Sequence, residues 1–169
     1  MGSNRKSGFT LIELIVVVAI ISTIMSIVVA LVGDAKAKAR DTKRRADLNQ
    51  IQVALELHRN EYGTFNVIGG GAGGTGIGYV SYENGNSYPA AVTRILYNEG
   101  YLAQPIIEDP LQSPGYMINI CNNGQAYALS ATLEFPTALD ISGLQTSCNG
   151  SGAAGAYSLY GKNVARKND

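Results

Sequence analysis

The chain has 169 residues, enough for one domain with a buried core. Its 13 basic and 13 acidic residues cancel, so no global charge points to nucleic acid, and charged residues are only 15% of the chain while glycine reaches 20 copies. The charge is unevenly laid out: net +2 over residues 1–8, −1 over 9–33, +4 over 34–45, −7 over 46–161 and +2 over the tail. The second of these blocks argues against an ordinary soluble cytoplasmic enzyme.

From Leu14 to Val32 run nineteen residues without a charge, LIVVVAIISTIMSIVVALV. As an α-helix this stretch covers roughly 28 Å, about one hydrocarbon core, and it reads as a transmembrane helix. The competing reading is a cleaved secretory signal, with Arg5 and Lys6 as its basic segment and Ala35-Lys36-Ala37 as an A-x-A-like cut site. Against it, the apolar run exceeds the usual length of about 7 to 15 residues, and the segment would have to carry Glu13.

Glu13 is the most informative residue. A carboxylate at the start of a membrane span is costly to bury and marks a function by default, with a partner to be named. No cation of the same chain lies close enough, since Arg5 and Lys6 belong to the short hydrophilic segment ending in Ser7-Gly8. Two readings stand on the residues alone: a charge paired with another molecule, and a carboxylate hydrated at headgroup depth.

The stretch KSGFTLIELIVVVAI, Lys6 to Ile20, resembles the class III signal of type IV pilins and pseudopilins: a short basic leader ending in Gly, then Phe-Thr-Leu-Ile-Glu and an apolar helix. The resemblance is specific over the first 60 or so residues and one of architecture beyond them. It implies that a membrane-embedded prepilin peptidase cuts between Gly8 and Phe9 and methylates the new Phe9 amine. It implies further that subunits, delivered through an inner-membrane assembly platform, form a homopolymer in which Glu13 meets the cationic Phe9 amine of a neighbour. Such a pair, buried in an apolar filament core, would penalise subunits docked at the wrong axial step, because removing one member of a buried pair costs about 3 to 5 kcal/mol. The implied location is the inner membrane for a single-pass precursor and an extracellular or periplasmic filament afterwards. Where many members carry a helix-breaking Gly and Pro, this chain has Ser22 and Ala30, which leaves Gly33 as the softer point of the helix.

Past Val32 the residues turn polar with helical periodicity, and neither Gly nor Pro interrupts Asp34 to Tyr62, so the helix is expected to continue. Leu48, Ile51, Leu55, His58 and Tyr62 form one apolar-leaning stripe suited to packing under a globular head. Ala39, Ala46, Val53 and Leu57 form a second stripe on roughly the opposite face, which suggests contact with other helices; scattered surface apolar residues are the alternative. His58 reads as a flank residue of the first stripe. Between Lys36 and Arg45 stand six basic residues and one acid. A basic helix just outside a span suits anionic lipid better than nucleic acid, though nucleic acid stays open as a partner. The run also conflicts with the positive-inside rule, which taken alone puts the C-terminal part in the cytoplasm; the pilin-like signal and the cysteines decide here for export.

Gly69 to Gly78 contains seven glycines in ten and reads as a flexible connection between helix and sheet. Gly69-x-Gly71-x-x-Gly74 matches a dinucleotide fingerprint formally, but no strand precedes it and no periodic helix follows. A short helix is expected from Pro89 to Asn98 with Gly100 as its stop. Gly115 to Cys121 and Ala126 to Glu134 read as two strands of a hairpin around Asn122-Asn123-Gly124-Gln125, and Ala156 to Tyr160 as a third strand. Cys121 and Cys148 resemble the C-terminal disulfide of many pilins, with two unpaired buried thiols as the alternative; a bond would stabilise by roughly 3 to 4 kcal/mol on the chain-entropy model and fits an oxidising compartment. Glu108, Asp109, Glu134 and Asp140 are set against the calcium sites of some pseudopilins, but a turn at Asp109-Pro110 is favoured because no EF-hand-like ligand run exists.

No nucleophile and base, metal cluster or phosphate loop can be assembled, so no enzyme activity, cofactor or metal is expected. The expected fold is α+β: a long N-terminal helix, transmembrane and then amphipathic, packed on a small antiparallel β-sheet head, as in pilins. The expected divisions are a leader at 1–8, a transmembrane and filament-core helix at 9–33, its amphipathic continuation at 34–62 and a globular head at 63–169. Function is read as a structural subunit of a type IV pilus or related filament. The alternatives are a pseudopilin of a secretion or competence system and, from another class, a membrane-anchored adhesin or DNA-binding module, which leaves Glu13 and the Gly8-Phe9 junction without a purpose.

Overall fold

The computed structural model describes residues 8–71, 74–83, 90–111, 115–141, 148 and 162–167. The chain divides into two compact units, residues 1–38 and 39–169, and the first helix runs through both.

That helix, α1, spans Leu11–Tyr62 as one 52-residue element. It continues without interruption through Ser22 and Gly33, because one glycine costs only about 1 kcal/mol against the hydrogen bonds on either side. From Leu11 to Lys36 no described residue of α1 is buried. Every large apolar side chain described from Leu11 to Val32 is exposed, from 43% at Val32 to 75% at Leu11. The three hydroxyls within this stretch are turned back onto the helix: Ser22 Oγ donates to Val18 O, Thr23 Oγ1 to Ala19 O and Ser26 Oγ to Thr23 O, each at 2.8 Å. A helix apolar on all sides, with its polar groups satisfied internally, suits a hydrocarbon surrounding.

In the second unit the same helix becomes one-sided. Leu48, Ile51, Ala54 and Leu55 are wholly buried, while Val53 and Leu57 of the opposite stripe stay 59% and 43% exposed and Ala39 and Ala46 are exposed as well. The buried face meets a four-stranded antiparallel sheet of order β1-β2-β3-β4, with β1 at Ile77–Tyr79, β2 at Met117–Cys121, β3 at Ala126–Ala131 and β4 at Val164–Lys167. Period-2 alternation on β2 and β3 sends Ile118, Ile120, Tyr127 and Leu129 into the core shared with α1, where Phe65 packs edge-on against Tyr127 at 4.7 Å. Met117, Ala128 and Cys148 form a second cluster, with Tyr79 and Cys121 packed against it.

β2 and β3 form the expected hairpin, with Met117 opposite Ser130 and Cys121 opposite Ala126, although both strands are shorter than the pattern suggested. Its turn runs through three consecutive left-handed residues, Asn122, Asn123 and Gly124. At Gly124 (φ +81°) a Cβ would lie 2.2 Å from Thr64 Oγ1, so only glycine fits. α2 covers Val92–Asn98 and stops at Gly100 (φ +86°); the expected start at Pro89 lies outside the described residues. Its amino end is capped from a distance, by Glu83, whose Oε1 accepts the Ala91 N–H at 3.0 Å while Arg94 forks onto the same carboxylate.

One expectation needs correction. The glycine-rich stretch is not a slack connection where it is described. Val67 N–H donates to Gly74 O at 2.7 Å, and a Cβ on Gly74 would lie 2.2 Å from Val67 O, so glycine is required there by close approach of two backbones. The strand following it, β1, was hidden by that composition. β4 is the other unforeseen strand; the segment expected as a third strand, Ala156 to Tyr160, lies outside the described residues.

Candidate functional site

Gly8, Phe9 and Thr10 precede α1 in non-helical conformation, and Phe9 is 93% exposed. The peptide bond between Gly8 and Phe9 therefore lies in accessible, non-helical chain just ahead of the helix. Thr10 caps the helix and Glu13 is its third residue. Glu13 Oε2 accepts from the Thr10 backbone N–H and from Thr10 Oγ1, both at 2.8 Å, and the Glu13 N–H donates to Thr10 Oγ1 at 3.3 Å. This is a capping box, Thr-x-x-Glu, which supplies reciprocal partners to two amides that a helix start leaves open. The sequence reading missed it, although Thr10 three residues before Glu13 was the signal. Glu13 thus has an intrachain partner, and that partner is an uncharged one. Arg5 and Lys6 lie outside the described residues. Both hydrogen bonds that Thr10 donates go to Oε2.

The basic run that follows the span is answered largely by the head's own acids. Arg44, 3% exposed, forks onto Asp109 at 2.7 and 3.0 Å and spans from there to Asp41 at 2.8 Å and Glu134 at 3.0 Å. Arg40 forks onto Glu134 at 2.7 and 2.6 Å, and Arg45 onto Asp140 at 2.7 and 2.8 Å. Lys43 Nζ meets Asp47 at 2.6 Å. These bonds hold the Glu134 carboxyl down to about 2, chiefly through Arg40, and the Asp140 carboxyl well below its ordinary range, chiefly through Arg45. Asp109, Glu134 and Asp140, set against calcium sites by resemblance, are engaged by arginines instead. Among the described residues no group of three His, Cys, Asp or Glu side chains is placed to hold a metal ion.

Farther along α1, acids and a histidine tie the helix to the head. Asp47 accepts from Tyr116 Oη at 2.5 Å, Glu56 from Tyr127 Oη at 3.2 Å, and Glu61 from Tyr101 Oη. Burial and these carboxylates push the Tyr116 and Tyr127 phenols far up, and the bond to Glu61 pushes Tyr101 up to about 12. His58, 4% exposed, lies between Glu99 Oε2 at 2.8 Å and Asn66 O at 3.1 Å and stacks on Tyr62, so both ring nitrogens are used structurally. Cys121 and Cys148 are joined, with Cα atoms 6.0 Å apart, and the bond closes a 27-residue separation against the sheet. These contacts hold the head against one face of α1; no arrangement of nucleophile, base and oxyanion donor occurs among them.

A family model described as the prokaryotic N-terminal methylation motif matches residues 3–29, the stretch holding Gly8, Phe9, Thr10, Glu13 and most of the apolar helix. Comparison with curated proteins and with solved structures finds no match. The matched motif, the long apolar helix and the small antiparallel sheet support a type IV pilin-like prepilin; the motif implies processing by prepilin peptidase, and with the apolar helix it suggests membrane anchoring of the precursor.

Proposed function

We propose that this prepilin is a structural subunit of a type IV pilus or closely related filament, polymerising through α1 after cleavage between Gly8 and Phe9 and methylation of the Phe9 amine. One observation carries the reading: the first part of α1, from Leu11 to Gly33, is apolar on all sides and exposed wherever described, begins two residues after Phe9 and bears a single carboxylate, Glu13, at its start. A plain membrane anchor needs the apolar helix but neither the carboxylate nor the exposed junction. In the filament, Thr10 occupies Glu13 Oε2 and Oε1 receives the cationic Phe9 amine of a neighbour, in surroundings dry enough for the pair to discriminate axial register. The exposed stripe of Ala39, Ala46, Val53 and Leu57 continues the same role on polar ground, by facing neighbouring subunits rather than its own head.

The test is the intact mass and N-terminal sequence of the mature protein recovered from sheared filaments. The expected species is residues 9–169 with one added methyl group on the Phe9 amine. A mature chain starting near Lys38 would restore the secretory-signal reading. Recovery of the processed chain from the cell envelope of cells that make no surface filament containing it would assign it to a secretion or competence pseudopilus.

A further inference from the structure

His58 is the chain's one histidine, and its surroundings ask for more hydrogens than a neutral ring carries. It lies in the last two turns of α1 and is 4% exposed. Nε2 faces Asn66 O at 3.1 Å, and since a backbone carbonyl only accepts, Nε2 must bear a hydrogen to bond there. Nδ1 faces Glu99 Oε2 at 2.8 Å, and a carboxylate likewise only accepts. A neutral imidazole has a single N–H. With that hydrogen on Nε2, a bare nitrogen lone pair would be pressed against a carboxylate in a place water hardly reaches. Both bonds hold together only while the ring carries both protons. The other titratable groups around the ring do not replace the second one. Tyr62 stacks on it at 4.5 Å and Tyr101 meets it edge-on at 6.3 Å, and both phenols are pushed up, Tyr62 by the nearby Glu99 charge and Tyr101 to about 12 by its bond to Glu61. They stay neutral where imidazole titrates. Glu61 is engaged by that phenol, and Arg59 is turned onto the Phe65 ring at 4.9 Å.

We infer that His58 and Glu99 form a proton-dependent latch in the head, closed on the acid side of the imidazole range and open on the alkaline side. The latch sits where three pieces of the head meet. Glu99 is the residue at which α2 ends, and Asn66 belongs to the loop 63–67 that leaves α1. That loop is anchored on the β2–β3 turn, with Phe65 N–H donating to Gly124 O at 2.8 Å and Thr64 Oγ1 donating to the same oxygen at 3.0 Å. Loss of the second proton leaves the Asn66 bond in place, because it fixes the hydrogen that remains on Nε2. It removes the bond to Glu99, whose side chain is 20% exposed and can turn to water. The Tyr101 bond to Glu61 persists through this range, so the opening is confined to the contact between α1 and the last residue of α2. The inference concerns the head alone and stands whether or not the chain polymerises.

The experiment uses the full chain in detergent micelles, where one histidine gives one pair of ring-nitrogen resonances. Across the range in which imidazole ordinarily titrates, from about pH 5.5 to 7.5, nitrogen NMR of histidine-labelled protein should pass from two protonated ring nitrogens to the Nε2–H tautomer with Nδ1 bare. Over the same range the melting temperature of the head should fall by about 5 to 10 °C, the worth of one hydrogen bond between charged groups. Lys162, held down to about 8 by burial, works in the opposite sense, because a buried base gains stability as it loses its proton. Glu99→Gln leaves that background unchanged and isolates the latch. Its amide can accept from the charged ring and donate to a bare Nδ1, so the contact survives deprotonation and the fall relative to wild type should vanish. A fall that is the same in Glu99→Gln and wild type overturns the latch. So does a ring found at pH 7.5 with its hydrogen on Nδ1 and a bare Nε2, and this wild-type measurement decides the matter even if the variant does not fold.

Discussion

Arg44 offers the strongest test of how the head is held on α1. Its guanidinium is buried among Asp109, Asp41 and Glu134, and Asp109 is itself 3% exposed. Arg44→Ala leaves the Asp109 carboxylate without its fork in a place water hardly reaches. Breaking a buried pair from one side costs about 3 to 5 kcal/mol, far more than the pair itself contributes. Unit 2 comprises residues 39–169, and with an unfolding entropy of about 2.1 cal/mol/K per residue such a loss lowers the melting temperature by roughly 10 to 20 °C. The assay is thermal unfolding of the full chain in detergent micelles, followed by near-ultraviolet dichroism of the tyrosines, which reports the head rather than the apolar helix. Arg44→Lys keeps the charge but cannot make the paired bonds, so it should fall between wild type and Arg44→Ala. Combining Arg44→Met with Asp109→Asn removes both charges and should recover part of the loss, giving a coupling energy of about 1 to 3 kcal/mol. Arg44→Ala melting within about 3 °C of wild type would refute the claim that this cluster is dry and fully engaged.

Other outcomes follow from the same contacts. Glu13→Gln keeps the capping box, since Gln serves as well as Glu at that position, and removes only the charge. It should be inserted and cleaved normally yet lower filament yield more than tenfold; full yield at matched membrane levels would return Glu13 to a hydrated edge residue. Gly124→Ala must fit a Cβ 2.2 Å from Thr64 Oγ1 at a φ of +81°, and should cost about 2 kcal/mol or more, read from the same melting curves. Acid should also unfold the head by a definite route. The Glu134 carboxyl titrates at about 2 when folded against an ordinary value of 4.5, and Asp140 is likewise depressed, so their contribution is whole above pH 5 and is lost as pH falls from 4.5 toward 2. Arg45→Gln should make stability in that window less dependent on pH; an unchanged slope would mean that the Asp140 pair contributes nothing.

How far the sequence reaches depends on the range of the forces involved. The apolar run, the helix continuing to Tyr62 and the Asn-Gly hairpin are set by hydrophobicity, propensity and backbone sterics within a few residues, and all three are legible in one pass along the chain. So is the capping box in principle, since Thr10 and Glu13 are three apart and the carboxylate's partner is a nearby hydroxyl and amide, not a cation. The glycine run misled because composition reports conformational freedom, whereas Gly74 is there to let its Cα approach Val67 O. β1 is three residues long, too short to show alternation, and takes its strand character from pairing with β2.

What only the tertiary structure decided is the use of charge. Lys36 to Arg45 is a dense basic run in the sequence, and read locally it addresses lipid or nucleic acid. Its arginines instead find carboxylates 65 to 95 residues away, at Asp109, Glu134 and Asp140, whose own surroundings in the chain suggested a turn or a cation site. Coulomb and hydrogen-bond partners depend on distance in space, and separation along the chain carries no record of it. Sequence determines which stretches of this protein are apolar, helical or sharply turned, because those are properties of neighbours; folding determines which charges are paired within the head and which apolar side chains stay exposed, because those depend on where the chain returns.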